Sequence, residues 1–277
     1  MGRASVGVKG PLEYGNVKAL YDVEAEFSDI AAQETSSDNK EVRLRTAQIT
    51  IPTKKYGVIA GGRGYSGQRK DLYGHLDIFE NTEVYNPNNG NYYQGSDLTA
   101  QTLYVPGFLL WKTPSIGHVY AVPGLVTTND GNGKAIDATS WRVMYDNKGV
   151  KAGVGVTKIE TGANDYTRTA AALSYTAERW QAGVTREQNK HSPSGDFDVT
   201  AVGASYKFTP KVTGNLAYFK KDHKTNAAAD NTAVISNVTY ALGSTPKQGK
   251  SAKLFLEHEE HDIKANTKTT AGISLAF

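Results

Sequence analysis

The sequence predicts an all-β protein: a transmembrane antiparallel β-barrel of about 15–16 strands with one long connection folded into its interior. Three observations carry this reading. Apolar and polar residues alternate with period two along most of the chain, which is the signature of a strand with two unlike faces. The face opposite the apolar one is built from Lys, Arg, Asp, Glu, Ser, Thr and Gly, so it lines water. Connections alternate between short turns and long polar loops, the asymmetry of barrels with short turns on one side of a membrane and long loops on the other.

Composition sets the outer bounds. With 39% hydrophobic residues and a mean hydropathy of -0.48, no apolar run approaches the roughly 18 residues that a membrane helix requires. A barrel is compatible with those values, because only alternate residues of each strand meet lipid. The absence of cysteine removes disulfides and thiolate metal sites and fits an oxidising compartment. A net charge of +3 is too small to imply a nucleic-acid partner. No export signal is evident after Met1, so the numbering reads as that of a mature chain or of one made without its signal.

The first strand is expected at Arg3–Lys9, followed by a turn over Gly10–Gly15. Asn16–Phe27 is the cleanest segment, with Val17, Ala19, Tyr21, Val23, Ala25 and Phe27 on one face and only Leu20 breaking the polar row. Val42–Pro52 and Tyr56–Arg63 form a hairpin about Thr53-Lys54-Lys55; the apolar phase shifts within the first of these, which suggests a bulge near Arg43 and Arg45. Leu109–Ser115 and His118–Val126 follow, and alternating hairpins continue to Ala271, Ile273, Leu275 and Phe277, giving fifteen strands. Ala100–Val105 is a further candidate strand, and Tyr104-Val105-Pro106-Gly107 reads as a bend. A soluble sandwich would fill its interior with apolar side chains, and a propeller would repeat blade motifs; neither pattern is present. Tyr56, Trp180, Tyr206 and Phe208, all beside short turns, suit an aromatic girdle at the membrane interface.

Gly64–Phe108 interrupts this pattern. Such a long connection is usually functional. Its acids Asp71, Asp77, Glu80 and Glu83 and its aromatics Tyr73, Phe79 and Tyr85 suit a segment that folds inward and narrows a pore.

Several stretches resemble one family, the Gram-negative general diffusion porins of the trimeric kind. GRASVGVKGPLEYGNVKALYDVEAEF resembles their strand, turn and strand; Val42–Arg63 their next hairpin; YGHLDIFENTEVYN their inward loop; LLWKTPSIG the following strand and turn; and TTAGISLAF their C-terminal strand. The resemblance implies one porin barrel domain over residues 1–277, an outer-membrane location with lipid around it, passive diffusion of ions and small hydrophilic solutes, and a homotrimer. It also implies a constriction in which the loop acids Asp71, Asp77, Glu80 and Glu83 draw cations and face a basic wall of Arg3, Lys18, Arg43, Arg45 and Arg63. Alternation places Lys18 and Arg63 toward the lumen. The family pattern has one more strand before Arg3, so fifteen strands leave first and last running the same way.

No catalytic or metal constellation emerges. In His258-Glu259-Glu260-His261 the spacing is not that of a metalloprotease, and the two histidines of a strand would face opposite ways. Gly61-Gly62-Arg63-Gly64 lacks the residues and helix of a phosphate loop. No cofactor is expected. An outer-membrane barrel hydrolase, or a plugged barrel acting as adhesin or anchor, is the alternative.

Overall fold

The computed structural model describes residues 4–15, 17–27, 42–53, 55–80, 82, 84, 98–102, 104–127, 135–160, 165–192, 195–245, 250–262 and 267–276. Among the described residues, fifteen antiparallel strands form one sheet in sequence order. They are β1 (Ala4–Tyr14), β2 (Val17–Phe27), β3 (Val42–Thr53), β4 (Gly57–Tyr65), β5 (Tyr104–Lys112), β6 (Val119–Val126), β7 (Ala138–Asn147) and β8 (Val150–Glu160). After these come β9 (Asp165–Thr176), β10 (Trp180–Lys190), β11 (Phe197–Lys207), β12 (Val212–His223), β13 (Asn231–Thr245), β14 (Lys250–His261) and β15 (Lys268–Ala276). Among the described residues, one short helix, α1 (Gly67–Leu72), and a 3-10 turn at Ala227–Ala229 complete the elements.

The two faces invert the order of a soluble protein. Val8, Leu173 and Leu256 are 61%, 54% and 56% exposed, whereas Thr185, Glu187 and Glu257 are at most 1% exposed. Apolar rows therefore face outward and the polar rows are covered, as in a sheet whose outer solvent is hydrocarbon. Tyr56, Trp180, Tyr206 and Phe208 are exposed beside short turns.

The phase shift in β3 is a bulge. Glu24 pairs with Thr46 and Ala25 with Leu44, leaving Arg45 as the extra residue, so the apolar row Val42, Leu44 continues as Ala47, Ile49, Ile51. A second register shift lies between Gly62 and Gly64.

Several boundaries differ from the sequence reading. β1 runs through Gly10–Tyr14, turning only after Tyr14; Pro11 is tolerated there because β1 ends the sheet and needs no second ladder. Tyr104–Gly107 belongs to β5 rather than to a bend, and the described residues of Ala100–Val105 form no separate strand, Tyr104 and Val105 being the start of β5. The connection after β4 is not structureless, since it contains α1. β1 and β15 stand at opposite ends of the strand order and are not hydrogen-bonded to each other among the described residues. Both run toward the short-turn side.

Candidate functional site

The described part of the segment between β4 and β5 lies on the polar face of the sheet, and its sequence shows why. In α1, Gln68 and Leu72 are buried while Arg69 and Lys70 occupy the last turn, where cations suit the helix dipole. Gln68 Nε2 donates to Ser140 Oγ at 3.1 Å and to Thr157 Oγ1 at 2.8 Å, tying the helix to β7 and β8. Leu72, Tyr73 and Leu76 are fully buried in a cluster with Val122, Met144, Phe219 and Ile235. This packing is close because the wall beneath is glycine and alanine. A Cβ on Gly155 would lie 2.9 Å from Leu72 Cδ1, one on Gly183 2.6 Å from the His75 ring, and one on Gly203 2.6 Å from the His75 carbonyl oxygen.

Buried polar groups then fix the course of the chain. Thr185 donates its hydroxyl to the Leu72 carbonyl at 2.7 Å, so its oxygen accepts from His75 Nε2, 3.2 Å away. That requires a proton on Nε2, and because burial pushes the His75 pKa down to about 4, at neutral pH the ring is the neutral Nε2–H tautomer. Glu187 binds both arms of the segment: Tyr73 donates its hydroxyl to Oε2, and the Ala100 amide donates to Oε1 at 2.9 Å. Burial and the neighbouring Glu187 charge hold the Tyr73 phenol well above its ordinary pKa, so it remains a donor. Further along, Asn215 Nδ2 donates to the Ile78 carbonyl at 2.9 Å. Glu257 accepts the amides of Glu80 at 2.8 Å and Thr82 at 2.6 Å, together with Thr82 Oγ1 at 2.7 Å and Asn237 Nδ2 at 2.9 Å. From α1 to Thr82 the segment thus crosses the polar face from β7 to β14.

The structure brings the loop acids to cations, though to others than those expected. Asp71 receives Arg142 Nε and the Tyr120 hydroxyl; Asp77 pairs with Arg69 of its own loop, and Glu80 with Lys253 of β14. Among the basic residues, Arg45 bonds Glu24 at 3.0 Å, Glu26 at 3.3 Å, Tyr65 at 2.9 Å and also Tyr104. Arg63 donates from Nε to the Leu44 carbonyl at 2.6 Å and stands opposite Ala47, in register with the apolar row of β3. Lys18 pairs with Glu13 at 3.1 Å, and both are largely exposed. Arg3, Glu83 and the side chain of Arg43 lie outside the described residues.

Sequence reasoning missed Arg142, Glu187, Lys253 and Glu257. Alternation puts each on a polar row, but nothing local distinguishes a wall charge that meets the loop from one that meets water.

A wide, two-faced antiparallel sheet with a segment lying on its polar face can be compared with known architectures. An anion-selective porin from Comamonas acidovorans superposes with a TM-score of 0.67 at 17% identity, covering 97% of this chain and 83% of that one. The fold is that of the bacterial porins. OmpF of Salmonella typhi, in a complex with daunomycin, gives a TM-score of 0.72 at 14% identity over 99% of this chain and 88% of its own. A mutant porin of Rh. blastica gives 0.65 at 16% identity over 98% and 89%. No family model matches the chain, and no curated protein sequence matches it either. The porin fold is therefore conserved in backbone geometry where sequence identity is low. The alternating rows need only be apolar outside and polar inside.

Proposed function

We propose that this chain is an outer-membrane porin, one barrel domain over residues 1–277, through which ions and small hydrophilic solutes diffuse passively. The observation that supports it is the inverted sheet: apolar rows outside, polar rows inside, and a segment of the chain docked on the polar rows by Glu187 and Glu257. Such a segment narrows the lumen and acts as its constriction. Its dry side packs on β6–β13, so the aqueous path runs along its other side, past Arg69, Asp77 and the β2–β3 charges Asp22, Glu24, Glu26 and Arg45.

In this reading a charged, narrow, low-dielectric passage orients polar solutes and sets ion preference. Subunits associate as a homotrimer through the apolar outer rows near the chain ends, where Val6 and Ile273 are exposed. No catalytic group takes part. Insertion into planar bilayers tests the function: stable, water-filled conductance is expected, and a folded protein that inserts but stays silent would favour a plugged anchor instead. A mass in detergent of one chain would overturn the trimer.

A further inference from the structure

Across β10–β13 the apolar outer face is uneven. Ala182 pairs with Ala204 and Ala204 with Leu216. Gly214 stands opposite Tyr206 with the Phe208 ring over it, 2.7 Å from where a Cβ would be. Small residues side by side, edged by Trp180, Tyr206 and Leu216, leave a groove of about 660 Å³.

The short-turn end of this groove is basic. The Arg179 guanidinium lies 5.6 Å from the Tyr206 ring centroid, and it is held there by the Lys207 and Phe208 carbonyls, to which Nη2 donates at 3.1 Å and 2.7 Å. Lys207 at the end of β11 and Lys211 in the turn after it are exposed, as is the acid Glu178 in the turn before β10. Nε also donates to the Lys207 carbonyl, at 3.3 Å, so these backbone contacts use the Nε and Nη2 edge of the guanidinium and a ligand at the rim would meet Nη1.

We propose that the groove holds one acyl chain of an anionic phospholipid, with its phosphate on Arg179 and Lys211 at the short-turn rim. The proposal rests on the membrane reading above. On that face the solvent is hydrocarbon, and the groove has the capacity of an ordinary ligand site, about 300–1,000 Å³. Trp180 and Tyr206 have the amphipathic rings that sit at headgroup depth. A planar guanidinium is suited to phosphate by its paired donors and weak hydration. The charge at the mouth is what selects a lipid over a second copy of the chain, whose proposed contact lies at β1 and β15.

Tryptophan quenching by a phosphatidylglycerol with brominated acyl chains, diluted into ordinary phosphatidylcholine vesicles, tests the site. Two single-tryptophan proteins are compared, one keeping Trp180 and the other Trp111. Both residues lie beside short connections and are 44% and 45% exposed, so bulk lipid quenches them alike. Trp180 is expected to be quenched several-fold more than Trp111 at low brominated fraction. Ala204→Leu, which fills the groove on an exposed face, abolishes the difference. Arg179→Gln removes the preference for phosphatidylglycerol over brominated phosphatidylcholine.

Equal quenching of the two tryptophans, or an Ala204→Leu protein that keeps the difference, overturns the groove site. An unchanged headgroup preference in Arg179→Gln overturns the phosphate contact. A Trp180 shielded in fully brominated vesicles while Trp111 is quenched means that a protein subunit covers the groove. Absence of quenching at both positions removes the membrane reading itself.

Discussion

Glu257 of β14 accepts the backbone amide of Thr82 at 2.6 Å, joining residues 175 positions apart in the sequence. The same carboxylate takes the Glu80 amide, the Thr82 hydroxyl and the Asn237 amide, and it is 1% exposed. A buried carboxylate is tolerable only when its acceptor sites are filled, so the loop and the wall stabilise each other. Glu257→Ala leaves two loop amides without acceptors, each an expected cost of about 1–3 kcal/mol if they stay buried. The loop tip is therefore expected to detach, giving larger and noisier single-channel conductance in planar bilayers. Unchanged conductance and noise would show that the tip does not bound the pore.

The glycines under the loop lead to a second expectation. In Gly183→Val the new side chain occupies the position of the His75 ring, and overpacking of this kind costs about 1–3 kcal/mol. The barrel rows outside are untouched, so loop docking should fail before the sheet does. Proteolysis of the loop at neutral pH should become faster in Gly183→Val, while heat-resistant mobility of the folded barrel on electrophoresis stays the same.

His75 makes docking dependent on pH. Its folded pKa, lowered to about 4, lies below the ordinary value of 6.5, so between these values the undocked loop binds more protons. Docking is fully favoured above pH 6.5 and weakens as pH falls toward 4. Burial alone causes the shift, with no charged neighbour contributing to it; the polar contact of the ring is the Thr185 hydroxyl. His75→Asn should flatten the pH dependence of loop proteolysis over this window. A wild-type profile flat from pH 7 to 4 would contradict the assignment.

Ion preference should follow the pairs that the fold makes. Asp77 neutralises Arg69 beside the proposed aqueous path, so Asp77→Asn exposes a net positive charge there. The reversal potential in a salt gradient should shift toward anions, most at low salt. Lys18→Gln, in an exposed pair with Glu13, should shift it less, because a solvated pair has little field. A larger effect at Lys18 would move the constriction away from α1.

The strands were legible because their information is local. Period two in Val17–Phe27, and the slip of phase between Leu44 and Ala47, fix which side chains share a face before any partner is known; the slip implied a bulge near Arg43 and Arg45, and the strand register places it at Arg45. Polar and apolar rows were enough to tell a membrane barrel from a sandwich. The segment between β4 and β5 stood out in the sequence by its length and its acids.

The partners of those acids were decided only by tertiary structure. Asp71 meets Arg142 and Glu80 meets Lys253, across separations of 71 and 173 residues, and no local pattern ranks those cations above Lys18 or Arg63. Which wall the loop lies on depends on where small residues such as Gly155, Gly183 and Gly203 fall side by side on neighbouring strands. That adjacency is a property of strand register summed around the sheet. Alternation determines the face of each residue, but only the assembled register determines what stands opposite it.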